Sequence, residues 1–337
     1  MRNINLTVKK ASGFYVFLIL LLMGNVVASA AEIADGNVAR NKLEREVRTL
    51  LHEEKYNELE NMAYRFRTEK TRFPDGGWKI LCFYRSFYPY YGWNELFNNL
   101  NKWLKKYPDS VTARVALGNA WYSYAWEARG SGYANTVTEQ NWKIFDERMA
   151  KAYEFVKNPP KYPSKDCMHR YTVLLVIARA KGWDRQKYEA LFQKAISLEP
   201  AYYENYFEKT TYLLPRWHGE KGDWQKFAEE AVKLTPKSEG MAIYTRILVT
   251  VWGNKEFTEF REPDISWKKM KQGFRDIDKL YPNSPTILNY FCMFACIAGD
   301  KATAIELFKR IGDIPYFDVW RGQANFYKWQ KWAGLGQ

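Results

Sequence analysis

Three histidines, His52, His169 and His218, are the whole imidazole complement of this 337-residue chain, so acid–base or metal chemistry would have to be built around them. His218 sits in Arg216-Trp217-His218-Gly219, with Glu220 and Asp223 close behind. That arrangement would suit an imidazole base with a carboxylate to orient it. Glu127 and Glu139 could supply the paired acids of glycoside cleavage, but nothing in the sequence fixes their separation. His52 lies beside a charged helical face and reads as an ordinary surface or boundary residue, and His169 precedes an apolar run containing Val173, Leu174, Val176 and Ile177 and reads as a cap or boundary residue. There is no Gly-x-Ser-x-Gly elbow, no His-Glu-x-x-His pair and no Walker-type phosphate loop. The sequence therefore nominates no catalytic residue, metal or cofactor, and points toward binding.

Two aromatic loops are the stronger candidates for recognition. In the first, Trp126, Arg129 and Tyr133 surround Gly130 and Gly132, glycines that permit the positive φ of a tight helix exit. In the second, Arg216, Trp217 and His218 fill a Pro-to-Gly loop, and Trp224 follows where it could fold back on Trp217. Arg129 could hold a carboxylate bidentately or stack on a ring. Both loops would also serve to join the ends of neighbouring helical units, and the sequence leaves the two roles open.

The elements that must carry these loops have helical period nearly throughout. Leu43, Val47, Leu50 and Leu51, then Leu59, Met62, Ala63 and Phe66, predict a helical hairpin. Trp142, Phe145, Met149, Ala152, Tyr153 and Val156 form another apolar face, introduced by Thr136-x-x-Glu139, the spacing of a capping box. Further helix starts are predicted at Asp184, Asp223, Asp264 and Ser284, the last followed by Pro285. Stops are predicted at Gly182, Gly299 and Gly312. No alternating run is long enough to predict a sheet.

The punctuation repeats. Lys106-Tyr-Pro-Asp-Ser110, Ser197-Leu-Glu-Pro200, Leu234-Thr-Pro-Lys-Ser238 and Leu280-Tyr-Pro-Asn-Ser284 each place a proline where one helix must end. Pro200 and Pro236 are 36 residues apart and Pro236 and Pro282 are 46 apart, against a tetratricopeptide unit of about 34. Phe192, Ala195 and Pro200 repeat the spacing of Ala228, Ala231 and Pro236, and Gly299 to Phe308 looks like one more turn and second helix. The region resembles the tetratricopeptide superfamily with degenerate units, interrupted at Leu213-Leu-Pro215 and between Gly130 and Thr138. The expected fold is all-α: tetratricopeptide-like helical hairpin repeats stacked into an irregular solenoid.

Three longer motifs narrow the resemblance. Phe73-Pro-Asp-Gly-Gly-Trp-Lys79, Tyr124-Ala-Trp-Glu-Ala-Arg-Gly-Ser-Gly-Tyr-Ala134 with Val137-Thr138, and Tyr212-Leu-Leu-Pro-Arg-Trp-His-Gly219 with Gly222-Asp-Trp224 resemble an uncharacterised bacterial family known only as a domain of unknown function. The resemblance runs from about Leu43 to Thr250 and implies a helical, tetratricopeptide-like build. It implies no activity.

The amino terminus suggests where the protein works. Arg2, Lys9 and Lys10 precede an apolar run from Phe14 to Met23 and then Ala28-Ser29-Ala30, the order of a cleavable secretory signal. The apolar run is shorter than the ~20 residues that span a bilayer, so the mature chain is expected to hold no transmembrane segment. The predicted organisation is a signal peptide over 1–30, a family-like helical domain over 31–252 and a helical-repeat extension over 253–337 packed on it. Loss of the leader lowers the formal charge from +13 to +10 by removing Arg2, Lys9 and Lys10. A basic exported chain suits anionic envelope surfaces and disfavours nucleic acid as partner. Trp, Tyr and Phe make up 17% of the residues, which excludes a disordered chain. The expected role is recognition of an envelope protein or peptide, periplasmic or extracellular. The alternative is an envelope carbohydrate-binding protein or glycan hydrolase. Cys82, Cys167, Cys292 and Cys296 commit to no pairing from their spacing.

Overall fold

The computed structural model describes residues 36–130, 132, 134–158, 161, 166–253, 260 and 265–335. The predicted signal peptide, Tyr133 and Asp264 lie outside the described residues. The described residues all belong to one compact unit, Ile33–Gln337, and contain α-helices, one short 3-10 turn at Ala134–Thr136 and no strand. The all-α expectation holds.

The chain begins with α1 (Gly36–His52), α2 (Tyr56–Thr68), α3 (Lys79–Arg85), α4 (Trp93–Lys106) and α5 (Val111–Arg129). It continues through α6 (Glu139–Val156), α7 (Met168–Ala180), α8 (Arg185–Leu198), α9 (Glu204–Tyr212) and α10 (Asp223–Leu234). It ends in α11 (Met241–Gly253), α12 (Trp267–Leu280), α13 (Pro285–Ile297), α14 (Lys301–Ile311) and α15 (Gln323–Ala333). The predicted hairpin is α1 and α2, which bury Leu43, Val47 and Leu51 on one side and Leu59, Met62, Ala63 and Phe66 on the other. The four repeated prolines each stand two residues beyond a helix end, after α4, α8, α10 and α12.

Side-chain capping explains six of the starts. Ser110, Asp184, Ser284 and Asp300 accept the amide of the residue three positions on, satisfying one of the donors a helix leaves open. Three expectations need correction. The box at Thr136 is displaced: Thr138 caps α6 by accepting from Asn141, because Thr136 closes the preceding 3-10 turn. Asp223 is the first residue of α10, and the cap position is Gly222 at φ 92°. Ser266 caps α12. Gly182, Gly299 and Gly312 end helices at positive φ as expected, and Gly130 does so at 72°.

Two layers emerge from the contacts. Consecutive helices pair as α7 with α8, α9 with α10, α11 with α12 and α13 with α14, while α1, α3, α5, α7, α9 and α11 each touch the next of that set. This second series is an inner layer, and a buried polar ladder ties it together. Asn119 on α5 donates to the Tyr84 carbonyl on α3 at 3.3 Å, which turns its amide oxygen toward His169 Nε2, 3.0 Å away. His169 Nε2 therefore carries the proton, and Nδ1 accepts from Tyr202 Oη at 2.9 Å. Thr172 on α7 donates to Asn205 on α9 at 2.8 Å. His169 is thus not the boundary residue its sequence position suggested. It is 2% exposed, and burial lowers its pKa to about 3, keeping the ring neutral.

All four cysteines are buried and unpaired. Small residues allow close crossings: a Cβ on Gly118 of α5 would strike Val156 of α6, and one on Gly273 of α12 would strike Thr245 and the Met241 carbonyl of α11.

Candidate functional site

Four of the seven nominated residues converge. Trp126, near the end of α5, meets Trp217 in the α9–α10 loop edge to face, ring centres 5.9 Å apart. Phe145 of α6 also packs edge to face on Trp126, ring centres 5.1 Å apart. The Arg129 guanidinium lies 5.3 Å from the Trp126 ring and 5.2 Å from Trp142. It also donates to the Gly130 and Gly132 carbonyls at 3.1 and 2.9 Å. A residue the sequence did not single out completes the cluster: Arg179 of α7 lies 4.5 Å over Trp217 and 5.6 Å from Trp126, and its Nη2 is 3.2 Å from Glu208 of α9. Burial, together with the Arg179 charge, lowers the Arg129 pKa.

His218 belongs to the same junction. Its Nε2 is 2.7 Å from the Arg179 carbonyl, so that nitrogen bears the proton and donates. Its ring lies 4.8 Å from Tyr212. The carboxylate expected to orient it is occupied elsewhere: Asp223 Oδ2 accepts from the Glu220 amide at 3.2 Å and from Arg185 at 3.1 Å. Glu127 accepts from Trp93 Nε1 at 2.7 Å. Gly219 is required here because any Cβ would enter the Leu213 carbonyl. Trp224 is buried on α10 in the core, and Arg216 is exposed on the loop. The geometry shown for the cluster is that of a seam joining α5, α6, α7 and the α9–α10 loop.

A cavity of about 330 Å³ opens instead against the inner layer. Arg40 and Glu44 of α1, Arg85 of α3, Glu204 and Phe207 of α9, Arg246 of α11, Phe274 of α12 and Tyr290 of α13 contribute to its wall. Its charges are arranged in pairs of opposite sign. Arg40 bonds Asp75 at 2.6 Å, Arg246 bonds Glu239 at 3.0 Å, and Arg85 approaches Glu204 at 3.4 Å. Arg72 stacks over Trp78 at 3.7 Å and reaches the same Glu239 at 3.4 Å. The third pair is loose, and burial of Glu204 outweighs the attraction of Arg85, raising the Glu204 pKa to about 7. Arg246 Nη2 and Trp78 Nε1, both on residues of the wall, have no hydrogen-bond acceptor among the described residues.

The cavity is hidden in the sequence because its wall is gathered from segments far apart in the chain; Arg85 and Glu204, for example, are separated by 119 residues. The available signal was the density of acids and bases within apolar helical faces, as in Tyr203-Glu204-Asn205-Tyr206. Among the described residues no group of three or more His, Cys, Asp or Glu side chains is placed to hold a metal, and no helix is long and apolar enough to cross a membrane.

Residues 44–153 match a family model described as a domain of unknown function (DUF4034). The match takes in most of α1 through most of α6, including the first two of the three motifs, and ends before the loop of Trp217. No curated protein matches the chain.

Proposed function

We propose that this chain is an exported protein-binding module, a tetratricopeptide-like solenoid that holds a peptide segment of an envelope partner in the cavity of its inner layer. The observation that carries the reading is the convergence of Arg40, Asp75, Arg85, Glu204 and Arg246, each held in an ion pair, with several aromatic and aliphatic side chains around one 330 Å³ opening. A peptide supplies matching chemistry: apolar side chains, charges of either sign and amides that pair with polar walls. Binding cavities of this kind are concave, largely apolar and fitted with a few placed polar groups. The secretory-type leader and the basic balance of the chain support an envelope setting and an anionic surface nearby.

In this reading the Trp126–Trp217 seam acts through position. It fixes α7 against α9, and α9 presents Glu204 and Phe207 to the cavity. The hydrolase alternative is weaker because His218 points its Nε2 proton at a main-chain carbonyl and Glu127 is engaged by Trp93.

The test is selection of peptides from a displayed random library on the purified mature chain, followed by titration against variants. Phe207→Ala and Arg85→Ala are expected to weaken the selected peptide at least about tenfold with the fold kept. Trp217→Ala is expected to lower thermal stability and affinity together. Unchanged affinity in both cavity variants would refute the assignment of the site. Loss of affinity in Trp217→Ala with full stability would move the binding role to the seam.

A further inference from the structure

A second opening lies on another part of the surface. The segment between α3 and α4 reads Phe87-Tyr-Pro-Tyr-Tyr-Gly-Trp93, and Tyr88, Tyr90 and Tyr91 are 67%, 71% and 73% exposed. Three large aromatic residues left in water within four positions are an interaction signature when they border a cleft, and here they border one of about 400 Å³. The loop is held by its own backbone: the Tyr88 amide donates to Ser86, the Tyr90 amide to Tyr88 and the Gly92 amide to Pro89 at 2.8–3.1 Å. Gly92 at φ 100° makes the turn into α4 possible. The rings are thus presented by an ordered platform, with Tyr90 and Tyr91 edge to face at 5.1 Å.

Planar polar groups line the same cleft. From α1 come Arg45, Arg48 and His52, and from α4 come Glu95 and Asn99. The Arg48 guanidinium lies 5.8 Å from the Tyr90 ring, and His52 Nδ1 lies 3.7 Å from Glu95. Arg45 is exposed and has no hydrogen-bond or ion-pair partner among the described residues, and the Asn99 side-chain amide has none either. Aromatic faces accept the C–H faces of a sugar ring, and guanidinium, amide and carboxylate edges pair with its hydroxyls. The unpartnered Arg45 adds a bidentate seat for a carboxylate.

We infer that the cleft between the Tyr88–Tyr91 loop and the second half of α1 binds an acidic saccharide. The rings stack on the sugar, Asn99 and Glu95 take its hydroxyls, and Arg45 takes its carboxylate. The inference does not depend on the inner-layer cavity and uses none of its residues.

Calorimetric titration of the mature chain with trigalacturonate and with maltotriose tests it. Trigalacturonate is expected to bind at least about tenfold more tightly than the neutral trisaccharide at low salt. Tyr90→Ala is expected to abolish binding, and Arg45→Ala to erase the preference while leaving the neutral sugar unaffected. Tyr64→Ala, which removes an exposed ring on α2, is expected to change nothing. All three side chains are exposed, so their loss leaves the fold intact, checked by an unchanged Tm. No heat with either sugar, equal affinity for both, or unchanged binding in Tyr90→Ala would overturn the inference. Binding of decaproline at these tyrosines without saccharide binding would overturn it too and assign the cleft to peptide.

Discussion

Glu204 and His169 occupy neighbouring parts of the inner layer and titrate with opposite consequences. The Glu204 pKa rises from an ordinary 4.5 to about 7, so the folded chain holds a proton that the unfolded chain has released. The stability that Glu204 contributes is therefore full below pH ~4.5 and is lost, about 3 kcal/mol in all, as pH rises from there through 7. For His169 the pKa falls from 6.5 to about 3; its contribution is present above pH ~6.5 and is lost as pH falls. Between pH 4.5 and 6.5 the two oppose, so they are separated by substitution. Urea unfolding of Glu204→Gln is expected to lack the decline that the wild type shows between pH 6 and 8; parallel profiles would contradict the burial argument. His169→Leu is expected to cost about 1–3 kcal/mol at pH 7, because Tyr202 Oη and Asn119 Oδ1 lose their partner in the core. The position of His169 before an apolar helix was legible in the sequence, but its burial was not. Its partners come from α5 and from the turn just before α9, which only the fold brings to it.

Elements were more readable than sites. Prolines two residues past the ends of α4, α8, α10 and α12, and capping side chains such as Asp184 and Ser284, act locally, so sequence displays them directly. The displaced cap of α6 shows the limit: Thr136 and Thr138 both offer a hydroxyl, and the 3-10 turn decides between them. Crossing distances between helices are also hidden. Gly273 looks like an ordinary weak point in α12, yet it is where α12 meets Thr245 and the Met241 carbonyl of α11. Gly273→Ala should therefore destabilise the chain by about 1–3 kcal/mol through overpacking, despite the better helix propensity of alanine. Guanidinium unfolding measures this, and a gain in stability would show that the α11–α12 crossing is looser than the structure has it.

At the scale of the whole unit, the aromatic wealth of the sequence divides into three uses. Rings such as Trp103, Tyr188 and Phe192 are core. Trp126 and Trp217 clamp a seam with Arg129 and Arg179 threaded between helices. Tyr88, Tyr90 and Tyr91 stay outside. Composition announced the abundance without this division, since the choice depends on which helices meet. The loops nominated from sequence do come together in part, and their geometry gives them a positioning role, while the cavity that collects paired charges is assembled from segments distant in the chain. We propose that this cavity seats a peptide of an envelope partner. Its most direct test places a photocrosslinking phenylalanine analogue at Phe207, at Tyr290 or at the control site Tyr64 of the full chain, expressed in its own host. The crosslinked residues are then read by mass spectrometry. Positions 207 and 290 are expected to capture the same short segment of one partner, displaced by the peptide selected in vitro, while position 64 captures nothing comparable. Equal, scattered capture from all three positions, or none from the two cavity positions, would contradict it.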